Sequence, residues 1–114
     1  MAAHRLSSAA RRLLAEDVDS VMALELVLLL HADASTPWTV QAAARELRTA
    51  EAWVAAQLSA LTAIGIARRA DGGQAYAFDA TDPTAPAVEE IADQYRQRRT
   101  TIIKLIFSAS PDER

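Results

Sequence analysis

Cysteine is absent, and His4 and His31 are the only histidines. Disulfides, thiolate metal sites and cysteine nucleophiles are excluded together. His31 and Asp33 put two metal-capable groups at a helix end, short of the ligand set a zinc site takes. His31 reads instead as a C-terminal group favoured by the helix dipole, and His4 as part of a tail. The densest carboxylates are Glu89, Glu90 and Asp93. They fall at the start of the last helical segment, where negative charge is favoured. Asp93 is spaced to pair with Arg96 one turn on. Trp38 and Trp53 either gate a ligand pocket or cover the edge of a small core. No Ser/His/Asp set, glycine-rich phosphate loop or pair of catalytic carboxylates is visible. The expectation is a protein with no enzymatic activity, no metal and no cofactor.

The remaining chemistry is cationic. Between residues 36 and 80 the basic side chains are Arg45, Arg48, Arg68 and Arg69, and the acidic ones are Glu46, Glu51, Asp71 and Asp79. Guanidinium groups suit phosphates, and phosphate contacts supply most non-specific affinity for nucleic acid. A balanced module of this kind should bind weakly, with Arg5, Arg11 and Arg12 available as an added arm. The whole chain carries 12 Lys+Arg against 15 Asp+Glu over 114 residues, a formal net charge of −3. That length fits one domain. Hydrophobic residues make up 51% and aromatics only 5%, so a core is available but must be aliphatic. Alanine, the best helix former, occurs 26 times, which favours a mostly helical chain. The alanine load and the preference for Arg over Lys suggest a GC-rich bacterial source. No apolar run reaches the roughly 20 residues a membrane span needs, and the N-terminus lacks a signal-peptide core. The location expected is the cytoplasm.

These groups must be held by short elements. Residues 1–18 form either a helix, with Leu6, Leu13 and Leu14 as its large apolar groups, or a loose tail. Asp19 and Ser20 are good N-caps for a segment through Leu30 that is apolar on almost every side, as a central helix is. Residues 38–40 are a short extended piece or a helix lead-in. Thr39 caps a helix whose Val40, Ala43, Ala44 and Leu47 share one face. Thr49 caps the next, 50–64, with Val54, Leu58 and Leu61 as its stripe and Gly65 just past its end. Residues 66–79 then read as a β-hairpin with Asp71-Gly72-Gly73 at its tip, able to take a third strand from 38–40. After a linker, Pro86 opens a last helix over 84–108. The fold class expected is mainly α with a small β-hairpin: one domain of an N-terminal segment (1–18), a core (19–80) and a long C-terminal helix (84–108).

This order, with Pro37-Trp38-Thr39-Val40 leading through Ala43 and Leu47, then Val54, Leu58, Leu61 and Ile64-Gly65-Ile66-Ala67-Arg68-Arg69, resembles the winged helix-turn-helix regulators of bacteria, such as the MarR, ArsR and PadR families. The likeness covers about residues 20–79. It implies a dimeric DNA-binding regulator of transcription, with helix 50–64 in the major groove. On that reading the DNA-contacting residues are Thr39, Gln41, Arg45, Arg48, Thr49, Ala52, Ala56, Ser59, Arg68 and Arg69.

With Val54 pointing inward, the opposite face of helix 50–64 carries Thr49, Ala52, Ala56, Ser59 and Ala63, with Ala55 beside them. Alanine can touch a thymine methyl, and Thr or Ser can make single hydrogen bonds. The Arg, Lys, Asn or Gln that direct readout uses are missing from the middle of this face. An alternative is a protein-interaction module in which the alanines allow close approach of a partner. A third reading is solvated helix surface. At the C-terminus, Val88, Ile91, Tyr95, Ile102, Ile103, Leu105, Ile106 and Phe107 suggest an interface, expected to make a homodimer. Residues 1–15 are expected to pack near that interface. Packing back onto residues 24–30 is the other option.

Overall fold

A computed structural model describes residues 6–18 and 20–109, without the side chains of residues 101, 105 and 107–109. Six α-helices and one antiparallel strand pair make up these residues, and no helix among them is long and apolar enough to cross a membrane. The mainly helical chain with a small hairpin is therefore present as expected.

Residues 1–5 lie outside the description, but the rest of the N-terminal segment is helical. Helix α1 spans Ser8–Glu16 and is capped by the Ser7 hydroxyl, which accepts from the Ala10 amide. Its Ala10, Leu13 and Leu14 are buried. Helix α2, Val21–Ala32, is capped in the same way by Ser20; Asp19 lies outside the described residues. Ala23, Leu24, Leu26, Val27 and Leu30 of α2 are buried, and Leu28 and Leu29 pack partly buried against the core. The physical reason is its position. Helix α2 packs on helix α3 (Val40–Leu47), on helix α5 (Ala85–Gln97) and on strand β2 (Ala75–Phe78), so it has partners on several sides.

Thr39 caps α3 through the Ala42 amide, as its sequence position predicts. The cap expected at Thr49 is not there. Helix α4 runs Glu51–Ala63 with Ala50 as its cap and no side-chain hydrogen bond. The Thr49 amide is still engaged with the preceding helix, donating to the Ala44 carbonyl. Arg48 ends α3 in the left-handed region at φ 59°, so 48 and 49 belong to the exit of α3.

Gly65, at φ 94°, turns the chain from α4 into strand β1, Ala67–Ala70. The Ile66 amide closes the helix end on the Leu61 carbonyl. Strands β1 and β2 pair in register from Ala67↔Phe78 to Ala70↔Ala75. Asp71, Gly72 and Gly73 all take positive φ at the tip, which two glycines make inexpensive. Trp38 adds a single bridge to Tyr76, each amide donating to the other's carbonyl at 2.7 and 2.8 Å. This is one bridge rather than a third strand. Strand β2 thus has a neighbour on both edges and α2 against it, and all four of its residues are buried.

One expectation about shape is corrected. The segment 84–108 is not one long helix. It breaks at Arg98 (φ −139°, ψ 56°) into α5 and a helix α6, Arg99–Ala109. No proline or glycine causes the break. It folds the apolar end back so that α6 packs on α1 and α5, burying Ile102 and Ile106 to 1% exposure each. Burial of that kind stabilises by roughly 1.5–3 kcal/mol per side chain, enough to outweigh an interrupted helix.

Candidate nucleic-acid interface

Helix α4 is the centre of the candidate surface. Val54, Leu58 and Leu61 are buried, which fixes its rotation. Glu51, Ala52, Ala55, Ala56, Ser59, Ala60 and Ala63 are consequently exposed. The helix is not swallowed by the fold, and its outer face is the one its 3.6-residue period predicts. Trp53 is half-buried against the core, and Gln57 is half-buried one turn from Val54. The Thr62 hydroxyl is used internally, donating to the Leu58 carbonyl at 2.7 Å.

Helix α3 and strand β1 both pack on α4. Each brings two arginines. Arg45 lies in the last turn of α3 and Arg48 at its left-handed end; Arg68 and Arg69 occupy the middle of β1. All four are exposed. Among the described residues none of them forms an ion pair; the pairs present are His31–Glu89, Arg96–Asp93 and Arg99–Glu25. Arg69 is held on the sheet. Its Nη1 donates to the Gly73 carbonyl at 3.3 Å, and its guanidinium stands 5.1 Å over the Tyr76 ring. Gln41 is exposed near the start of α3. Thr39 is exposed too, with its hydroxyl committed to the cap, and Thr49 is half-buried. The structure therefore gathers the expected set onto three adjoining elements.

The acidic members of the module differ in how free they are. Asp79 accepts from the Thr81 hydroxyl at 2.6 Å and the Thr81 amide at 3.0 Å. These bonds, the hydroxyl first, hold its carboxyl below the usual range, with a smaller contribution from Arg68. Glu46, Glu51 and Asp71 are exposed.

The proposed C-terminal interface fares differently. Val88, Ile91, Ile102 and Ile106 lie in the core of the single chain, so they offer no face to a second copy. Tyr95 packs partly buried under Arg99, 5.5 Å from its guanidinium. Ile103 is half-buried. The side chains of Leu105 and Phe107 lie outside the described ones. Packing back onto residues 24–30 holds for the first half of the segment, since α5 packs on α2, while the fold at Arg98 brings α6 against α1 and α5. The N-terminal segment lies beside this helix as expected, but within one chain; an apolar run looks the same whichever surface covers it.

Two further groups lie away from this surface. His31 is in the last turn of α2, edge-on to Phe78 at 5.1 Å and 3.8 Å from Glu89; His4 is outside the described residues. No cluster of three metal-capable side chains occurs among the described residues. Glu90, expected only to favour the dipole of its helix, reaches across 83 positions to Ser7, accepting from its amide and its hydroxyl at 2.7 Å each. Beside this contact lies a cleft of about 320 Å³ between α1 and the start of α5, walled by Ala9, Leu13, Pro86 and Ala87 and rimmed by Arg12 and Thr84. An open cleft of about 380 Å³ lies by Ala80, Ala85, Pro86 and Glu89. Neither touches Trp38 or Trp53, which pack partly buried against the core. Compared with known proteins, the chain matches no family model, no curated protein and no solved structure.

Proposed function

We propose that this chain is a winged helix-turn-helix protein that binds duplex DNA, with a role in regulating transcription. In this reading α3, the turn at 48–50 and α4 are the helix-turn-helix, and the β1–β2 hairpin is the wing. Helix α4 enters the major groove, and the flanking arginines contact phosphates. The observation that carries the reading is the placement of four exposed arginines, none ion-paired among the described residues, on the two elements, α3 and β1, that pack against α4. Positive charge on the elements that pack beside an exposed helix is what a helix seated among phosphates needs. The local balance of acids and bases limits affinity, and dissociation constants of about 1–100 μM are expected, as for non-specific complexes.

The test is fluorescence anisotropy with a labelled duplex at low salt, comparing the wild type with the Arg68→Ala/Arg69→Ala variant. Removing one arginine–phosphate pair lowers the log–log salt slope by about 0.9, so the double variant should bind more weakly with a slope reduced by up to about 1.8. Equal binding by both proteins takes the hairpin off the DNA. If no duplex shifts the anisotropy at all, the DNA reading fails. The exposed alanines of α4 then favour a protein partner.

A further inference from the structure

We infer that the chain binds duplex DNA through its phosphates and groove shape and does not choose among base sequences; this rests on the DNA-binding reading above. Base choice requires hydrogen-bonding side chains that reach base edges from the element lying in the groove. The exposed side chains of α4 are five alanines, Glu51 and Ser59. Alanine methyls make contact without direction. Ser59 has one hydroxyl, which can serve as donor or acceptor and so accepts most bases. Thr62 would add a second hydroxyl, but it is taken by the Leu58 carbonyl. Gln57 would add an amide, but it lies on the half-buried flank. Apart from weak alanine contact with thymine methyls, Glu51 is left as the one side chain whose hydrogen bonds favour a particular base, through the cytosine amine. It stands in the first turn, where phosphates on either side of the groove repel it.

The donor-rich side chains are all elsewhere. Arg45 and Arg48 end α3, and Arg68 and Arg69 lie on β1. Arg69 is further restrained by the Gly73 carbonyl and the Tyr76 ring, which keep its guanidinium over the sheet and away from a base edge. The exposed amide of Gln41 belongs to the start of α3, not to α4. The arrangement thus concentrates charge beside the inserted helix and leaves the helix itself nearly without polar groups. Sequence-specific complexes typically exceed non-specific ones by roughly 10³–10⁷-fold. One hydroxyl and one repelled carboxylate fall far short of that, and a spread under about tenfold follows.

Competition anisotropy tests this with the full chain. A labelled mixed-sequence duplex is displaced by unlabelled A·T-only, G·C-only and mixed duplexes of equal length at about 50 mM salt, alongside selection from a random duplex library. Competitor constants within about tenfold of one another and no enriched motif support the inference. The log–log salt slope should approach about −3.6, the value for about four phosphate contacts. The Glu51→Ala variant, which removes the charge without adding a base-reading group, should bind every competitor more tightly by the same factor. An enriched motif bound more than about 100-fold above the pool overturns the inference and leaves the DNA reading standing. So does a Glu51→Ala effect confined to one base position. Absence of binding to every duplex overturns both.

Discussion

Replacing Gly65 by alanine probes the joint between α4 and the hairpin. Gly65 lies at φ 94°, where an L side chain is strained by about 1–2 kcal/mol. An added Cβ would collide with Asp82 Oδ1 and lie 2.5 Å from Cγ and 2.7 Å from Oδ2. The carboxylate is not free to swing away. Its Oδ2 accepts from the Thr84 amide at 2.9 Å and from the Thr84 hydroxyl at 2.6 Å. Moving it gives up two hydrogen bonds, each worth about 1 kcal/mol net. The two effects together predict that Gly65→Ala destabilises by about 2–4 kcal/mol. Urea unfolding followed by circular dichroism measures it, with the lowered midpoint read at unchanged slope. A second background separates the causes. In Asp82→Ala the obstacle is gone and the Thr84 bonds are already absent, so Gly65→Ala should cost only the backbone strain there. The coupling between the two sites should be about 1–2 kcal/mol. A Gly65→Ala loss below about 0.5 kcal/mol, or one equal in both backgrounds, would refute the argument that Asp82 is wedged against this glycine.

Three other outcomes are expected. Ser7→Ala removes the α1 cap and one of the two bonds to Glu90, and should cost about 1–2 kcal/mol in the same urea assay; no change would mean that the Ser7–Glu90 contact does not hold α1 to α5. Leu26→Ala empties a fully buried site between packed elements and should cost about 2–5 kcal/mol, whereas Ala56→Gln on the outer face of α4 should stay within about 0.5 kcal/mol; comparable losses would mean that the rotation of α4 is wrong. Hydroxyl bonds from Thr36 and Thr81 lower the carboxyls of Asp33 and Asp79, so their contribution to stability is present above the ordinary carboxylate range and fades as pH falls through the lowered folded-state values. Carboxyl NMR titration should place both midpoints below those of unfolded aspartate, and Thr81→Val should return Asp79 alone toward it.

Much of the fold was legible because single residues dictated local geometry. Ser20 and Thr39 are caps by chemistry, Gly65 follows the last apolar position of α4, and Asp71-Gly72-Gly73 tolerates a tip that other residues resist. The exposed face of α4 follows from three aliphatic residues at helical spacing. The failures share a different cause. Thr49 is as good a cap as Thr39, but its amide is held by the Ala44 carbonyl, because the left-handed Arg48 extends the exit of α3 by one residue. That choice belongs to the tight junction, not to threonine.

The C-terminal run is the more instructive case. Ile102, Ile103 and Ile106 announce that something must cover them, and a periodicity argument ends there. The cover is α5 together with α1, whose buried Leu13 and Leu14 belong to a segment that reads equally well as a loose tail. Once α1 is helical and tied to α5 by the Ser7–Glu90 contact, it presents an apolar face that α6 reaches only by breaking at Arg98. Two weak local signals, an equivocal N-terminal helix and an unbroken C-terminal one, resolve each other through contacts spanning most of the chain. The arginines needed no such resolution. Charged side chains remain in water unless paired, so their exposure beside α4 could be read from type and spacing alone. The exposure of these arginines is therefore more legible than the packing of the two terminal helices.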